Sequence, residues 1–465
     1  MAAEARAKLQ RYLRAVRAAG VAALPSIQDL HQRRTLEQAC VVLGRLIVET
    51  GVLAELEARA GGDYLQLFAT ALSAANESDP QQARCRVQEL LSSGAEMPHE
   101  LLARVIGIER EYLLGFENAF RSELAAAAGE ERAAHSADPG QDTAALSEYM
   151  SRVFDVEVRV RSLETMALGY SKRTVLAALH SASGHVPETV VLRIDRRFNY
   201  LATTVLDEYP ILKVLHARGI PVPCPYALEP SGGILGEPFL VLERLRGQNI
   251  GSHFRFPAQN RPLARKLAAV LARIHSVPIE EFGATLKHVA DSPRGQLQAE
   301  VERAYEEWVR LRRVSPVIEA AFGWLRRNVS LAEGPRALVH GDFSLSNVLI
   351  DEHEEVAGIL DWEFAHSGNP LADVGWFYMA ATHLAGWDYF LGAYREAGGL
   401  PGDERQLAFF VLWGAVRLAV ISNQAESGFE EGRSADIKDA FAGSSFLREA
   451  TLRVTDRLAD VLHVL

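Results

Sequence analysis

The stretch Leu338 to Phe364, LVHGDFSLSNVLIDEHEEVAGILDWEF, constrains the chain more than any other. His340, Asp342 and Asn347 fall in a short polar segment, and the apolar run Val348-Leu349-Ile350 follows. An acidic, turn-like segment separates it from a second apolar run ending in Ile359-Leu360, with Asp361 directly after. Two short strands joined by a turn bring Asn347 and Asp361 to the same end of a hairpin. Two carboxylates and an amide gathered there make an oxygen-rich set suited to a hard divalent cation such as magnesium.

At 465 residues the chain holds about three domains of ordinary size. Hydrophobic residues make up 48% and charged residues 23%, the balance of a soluble globular protein with a substantial core. The net charge of -11 argues against broad binding to nucleic acid or to an acidic membrane, while a local cluster of cations still admits an anionic nucleotide. Cys40, Cys85 and Cys224 are too few and too scattered for a disulfide framework or a zinc site, so a reducing cytoplasm is expected. Residues 1–20 form a charged helical pattern without a continuous apolar core, unlike a secretory signal. The most apolar later run, Leu407 to Val420, carries Arg417 and is too short to cross a bilayer, so a buried helix is expected there.

Residues 1–128 read as helix throughout, punctuated by polar turns. Leu36, Leu43, Leu46 and Ile47 recur near helical spacing in one segment, and Leu102, Val105, Ile106 and Leu113 in another. His31, His99 and His135 lie apart without spaced partners, which points to solvated surface histidines. A helical bundle serving packing, self-association or a protein partner is expected. Residues 129–148, with Pro139 and Gly140, read as a linker.

Beyond the linker the pattern becomes strand-rich. Val156 to Val160 and Thr174 to Leu179 alternate like strands, and between them lie Gly169, Ser171 and Lys172. That segment is either a plain hairpin turn or a loop that lays backbone N–H groups and a cation over phosphates. The next strand, Thr189 to Ile194, carries Arg193, and a helix from Leu201 to Arg218 carries Glu208. Their separation permits a buried ion pair; the alternative has Arg193 snorkelling from a sheet edge and Glu208 facing water. Pro221 to Pro225 reads as an extended connection, and Pro238 to Glu243 as an apolar strand. Arg244-Leu245-Arg246-Gly247 then forms a hinge into helices at Leu263–His275, Ala299–Arg312 and Val317–Asn328. After the opening stretch come Val374–Ala381, Trp387–Ala397, Glu404–Ser422 and Ala435 onward, all helical.

HGDFSLSN has the H-x-D-x-x-x-x-N spacing of a protein-kinase catalytic loop, with glycine in place of arginine and ILDWE in place of the DFG triplet. Together with the following GNPLADVGWF, these residues resemble the aminoglycoside phosphotransferase family of kinase-like enzymes, over about Ser151 to the C-terminus. The resemblance implies an α+β, two-lobed protein-kinase-like fold, with a small β-rich lobe over residues 149–247 and a larger helical lobe over 248–465. An all-α N-terminal domain, residues 1–128, precedes it. The resemblance also implies ATP and Mg2+ as cofactors. Asp342 is then the catalytic residue that orients the acceptor hydroxyl and takes its proton, and Asn347 and Asp361 hold the metal. His340 organises the loop, and Asp373 bonds the loop backbone. Arg193 falls where a lysine usually meets the α- and β-phosphates, and Glu208 where its helix partner sits; arginine is larger and binds through a fork, so this is a departure from the pattern. Gly169, Ser171 and Lys172 line the phosphate loop in this reading, and Glu243 and Leu245 lie near the adenine hinge. Glu363 and His366 stand beside Asp361 without an assigned role.

The leading expectation is a small-molecule phosphotransferase acting on a hydroxyl, with no nucleic-acid or membrane partner. A non-catalytic nucleotide-binding scaffold is the alternative, favoured by Arg193. A metal hydrolase built on His340, Asp342, Asp361 and His366 is a third, but it leaves Asn347 without work. The acceptor is open. An acidic stretch at Glu426, Glu430 and Glu431 would suit a polycationic aminoglycoside, although a charge run is more often a solvated face. Some family relatives are associated with acyl-CoA metabolism, which adds a hydroxyacyl thioester; choline, homoserine and sugar-like alcohols complete the set.

Overall fold

The structure, a computed structural model, describes residues 99–125, 143–166, 172–195, 203–252, 255–286, 291–311, 315–400, 402–433 and 443–464, with Ala440 and single positions between 13 and 88. In chain order these form α1 (His99–Ala125), α2 (Thr143–Phe154), β1 (Arg159–Thr165), β2 (Arg173–His180), β3 (Thr189–Ile194), α3 (Val205–Ala217), β4 (Pro225–Glu229), β5 (Phe239–Glu243) and β6 (Gln248–Asn249). Next come α4 (Arg261–His275), α5 (Pro293–Arg310), α6 (Pro316–Arg327), β7 (Ala337–Val339), β8 (Val348–Ile350), β9 (Val356–Ile359) and β10 (His366–Gly368). The chain ends in α7 (Leu371–Trp376), α8 (Tyr378–Ala385), α9 (Trp387–Glu396), α10 (Glu404–Glu430) and α11 (Arg448–Val464).

Contacts divide the chain into two units, one of Met1–His135, Gln298–Leu331 and Leu412–Leu465, the other of Ser136–Leu297 and Ala332–Val411. This grouping differs from a linear division at residues 128 and 247. The helical part after residue 248 is shared between the units, and two of its helices pack on α1. In α11, Ala450, Val454, Leu458 and Val461 recur on one buried stripe, and that helix packs on α1. In α6 almost every side chain from Pro316 to Leu325 is buried, and the helix touches both α1 and α11.

The second unit begins with an antiparallel five-stranded sheet in the order β1-β2-β3-β5-β4. Alternation explains its buried face: Val175, Ala177 and Leu179 of β2 and Val190, Leu192 and Ile194 of β3 point one way into one core. Leu146 and Met150, four apart on α2, sit in that core, and Tyr149 meets the Phe239 ring edge-on at 5.5 Å. Helix α2 therefore starts inside the stretch read as a linker, since an i,i+4 apolar pair lies among its polar residues. The prolines before Ala227 belong partly to β4, the edge strand, where a missing N–H costs no ladder bond on the open side. Helix α3 starts at Val205 rather than Leu201, with Asp207 accepting from the Thr204 N–H (2.9 Å) and Asp195 from the Val205 N–H (3.1 Å).

After the sheet, α4, α8 and α9 pack together as the helical part of the unit. Between them lie two small antiparallel pairings, β7 with β10, and β6-β8-β9. A small antiparallel sheet followed by helices is the α+β arrangement expected. Helix α10 is long and apolar enough to cross a membrane by composition alone, yet 67% of its most apolar window is buried within the protein.

Candidate active site

The polar loop starts where β7 ends. Asp373, fully buried on α7, accepts from the backbone N–H of His340 (2.7 Å) and of Gly341 (2.8 Å), as the motif implied. Gly341 has φ +81°, and a Cβ there would lie 2.6 Å from the Phe364 carbonyl oxygen, so only glycine fits. The His340 ring is fixed by what it meets. Its Nδ1 accepts from the Asp342 N–H (3.1 Å), which assigns the proton to Nε2, and Nε2 donates to the Leu360 carbonyl (3.0 Å). His340 thus ties the loop to the residue before Asp361, with both ring nitrogens used.

Asp342 carries a donor on each carboxylate oxygen: Asn347 Nδ2 on Oδ2 and Trp376 Nε1 on Oδ1, both at 2.8 Å. Asn347 Nδ2 also donates to the Asp342 carbonyl (3.0 Å), which leaves its own amide oxygen as an acceptor for something else. The expected hairpin forms, with Val348 opposite Ile359 and an irregularity at Leu349–Ile350, and the Leu360 N–H donates to the Asn347 carbonyl at 2.8 Å. Asp361 follows with φ 65° and ψ 68°, a left-handed conformation that aspartate tolerates better than most residues.

On the sheet side, the Arg193–Glu208 pair forms, with Nε 3.0 Å from Glu208 Oε2. The same guanidinium donates through Nη2 to Asp361 Oδ1, and its Nη2 lies 3.8 Å from Glu363 Oε2. Burial alone would lower the affinity of Arg193 for its proton, but Asp361, Glu208 and Glu363 outweigh it and raise it. Burial pushes the Glu208 carboxyl up, partly offset by Arg193. Lys172 adds a second buried cation. Its Nζ donates to the Thr203 carbonyl (2.7 Å) and lies 3.3 Å from Asp195 and 3.6 Å from Glu363. Two cations thus meet four carboxylates, an excess of negative charge that a divalent cation would offset.

Of the phosphate-loop residues, Gly169 and Ser171 lie outside the described residues. The Lys172 side chain is only 1% exposed and turned into the charge cluster. Glu243 accepts from the Cys224 N–H (3.1 Å) at the end of β5, and Leu245 packs on β9, where a Cβ at Gly358 would lie 2.2 Å from its Cδ1. Among the described residues no three His, Cys, Asp or Glu side chains are grouped to hold a metal. The His340 ring is committed at both nitrogens, and His366 Nδ1 donates to the Phe364 carbonyl at 2.9 Å. Magnesium takes one or two protein oxygens and completes its shell with water and phosphate. Asn347 and Asp361 are oxygen donors of that kind. The acidic stretch is not a continuous surface, because Glu426 is 3% exposed and paired with Arg45.

Three residues of this region escaped the sequence. Trp376 sits in the GNPLADVGWF motif, but nothing in its spacing tells that its indole reaches Asp342. Asp195 and Glu363 anchor Lys172 through a contact made only once the sheet and hairpin meet.

The family model described as the phosphotransferase enzyme family matches residues 162–410. Acyl-CoA dehydrogenase family member 11 of Rattus norvegicus is 29% identical over 242 residues, 46% of this chain and 30% of that protein. Acyl-CoA dehydrogenase family member 10 of Mus musculus is 30% identical over 224 residues, 45% of this chain and 20% of that protein. The chain thus spans less than a third of either relative. A solved structure from Ralstonia eutropha, assigned as an aminoglycoside phosphotransferase, superposes with TM-score 0.52 at 20% identity, covering 69% of this chain and 98% of that one. That likeness shows a common kinase-like fold. Since the family model covers more than half of the residues and includes the loop, the hairpin and the Arg193 strand, the chain belongs to the phosphotransferase enzyme family.

Proposed function

We infer that the chain moves the γ-phosphate of ATP, with Mg2+, onto a hydroxyl of a small molecule. The observation that carries this reading is the convergence of Asp342, Asn347 and Asp361 at one end of the β8–β9 hairpin. Asp342 has its carboxylate held at both oxygens, so it orients the acceptor hydroxyl and takes its proton. The amide oxygen of Asn347 and the carboxylate of Asp361 would hold the metal, which would neutralise charge on the transferring phosphate. Arg193 and Lys172 supply fixed positive charge beside that position, and Glu208 keeps the Arg193 fork aimed.

Among acceptors, a hydroxyacyl thioester comes first for this chain, because the curated relatives are named for acyl-CoA chemistry. The matched part of those proteins is small, so their named activity need not reside in it. The polycationic aminoglycoside reading loses one support with Glu426 paired inside. The non-catalytic scaffold remains a second reading, favoured by Arg193 occupying Asp361, a proposed metal-binding residue.

A panel of hydroxylated metabolites, hydroxyacyl thioesters included, incubated with Mg2+ and ATP and read by product mass, tests the proposal. One member should gain a phosphate, and Asp342→Ala should lose that turnover by at least about 100-fold while keeping its melting shift with Mg2+ and a nucleotide. Undiminished turnover in the variant defeats the role of Asp342. Nucleotide binding with no product anywhere in the panel favours the scaffold.

A further inference from the structure

Helix α7 touches the catalytic loop twice. Asp373 holds its backbone, and Trp376 holds its side chain through the indole N–H on Asp342 Oδ1 at 2.8 Å. The two residues are three apart, so they share one face of the helix. That helix is tightly seated: a Cβ on Gly375 would lie 2.5 Å from the Phe410 carbonyl carbon. At its end Phe377, 1% exposed, meets Phe343 edge-on at 5.1 Å, and Phe343 is the residue after Asp342. Asn347 occupies the second oxygen of Asp342.

We propose that Trp376 is a positioning residue for phosphoryl transfer, its indole N–H setting the rotamer in which Asp342 meets the acceptor hydroxyl. The proposal rests on Asp342 being the base. Indole can only donate, so Trp376 neither takes a proton nor competes as an acceptor. With a donor on each oxygen, the carboxylate cannot rotate without breaking a bond. A base held this way keeps near-attack geometry through the reaction, where a small misplacement is costly in rate. An indole serving only to fill space has no need to aim its N–H at a carboxylate.

Trp376→Phe keeps a ring and removes the donor. Where that variant does not fold, β-(3-benzothienyl)alanine at position 376 exchanges N–H for sulfur at nearly constant shape. The first arm reads the contact without turnover. The chain has six tryptophans, hence six indole N–H signals in a nitrogen-15 spectrum, and the one absent from the variant is identified as Trp376. It should move in Asp342→Asn and stay in Asp351→Asn, a change in the β8–β9 turn. A signal unmoved by Asp342→Asn overturns the contact.

The second arm uses Mg2+, ATP and the acceptor identified by the panel. Loss of the donor should lower kcat by about 10- to 100-fold, with KM for ATP within about twofold and the melting shift with Mg2+ and a non-hydrolysable ATP analogue retained. Unchanged kcat overturns the positioning role, as does a matched rise in KM for ATP. If the unaltered chain phosphorylates nothing, the proposed function fails and the positioning role with it. The spectra then report a structural contact only.

Discussion

Arg193 bonds two carboxylates from different elements, Glu208 on α3 and Asp361 after β9, and one guanidinium fork serves both. A lysine at this position would bring a compact ammonium in place of the planar fork. Glu208 is 1% exposed, so its ionised form depends on that partner. Arg193→Met should therefore cost about 3–5 kcal/mol, the scale for a buried charge left without its pair. Adding Glu208→Leu should return part of the loss, because the most deeply buried of the stranded carboxylates is then gone while Asp361 keeps its charge. Urea melts of both variants at neutral pH check this, and a single variant as stable as the parent would remove the dependence. Asp373 gives a second residue-scale test. Burial pushes its carboxyl up, but the His275 ring (3.1 Å) and the His340 N–H outweigh that and hold it below the usual carboxylate range. A depressed folded value means that the contribution is present above the unfolded value of about 3.9 and is lost as pH falls through the folded one. Asp373→Asn should thus destabilise most near neutral pH, and the gap to the parent should narrow as pH falls below the unfolded value of about 3.9; a gap that stays constant through that descent refutes the assignment.

At the scale of elements, the loop, the hairpin and α7 act as one fitting. Gly341 sets the turn, and its φ of +81° and the nearby Phe364 carbonyl both forbid a side chain. Gly341→Ala should abolish turnover of the panel acceptor and lower stability by about 1–3 kcal/mol, read by initial rates and by urea melts. Full activity in that variant would mean that the loop tolerates another path. This fitting was partly legible beforehand. Asn347 and Asp361 were placed together because their relation is local: two apolar runs with a turn between admit one register. Arg193 with Glu208 was readable as one of two options, since a strand-to-helix spacing permits but does not compel a pair. What escaped depends on distant elements meeting. Lys172 looked like a phosphate-loop cation because it follows a glycine and a serine, yet the carboxylates that draw it inward come from the end of β3 and from beyond β9. Trp376 escaped likewise, because the direction of an indole N–H follows from how α7 is seated, and no local spacing encodes it.

At the scale of the molecule, the two units do not follow the order of the chain. Helix α1, from the N-terminal part, packs on α11, the last helix, and on α6 within a single unit. Val105 and Phe116 of α1 are fully buried, as are Ala450, Val454 and Leu458 of α11. A domain of residues 1–128 that folded independently ahead of a kinase-like body would leave that body intact after deletion. The contacts predict otherwise. Removing residues 1–142 strips the cover from the apolar stripe of α11 and from part of α6, whose side chains are buried on almost every face. Each large apolar side chain returned to water forfeits about 1.5–3 kcal/mol, and losing several of them is comparable with the whole stability of an ordinary domain, about 5–15 kcal/mol. The truncated chain should therefore aggregate or melt well below the parent, as read by size-exclusion chromatography and a thermal melt. Replacing Val454 and Leu458 by polar residues in the full chain should lower its melting temperature in the same direction. A soluble, monomeric product of the truncation with the parent's melting temperature would show that residues 1–142 are an accessory to the fold.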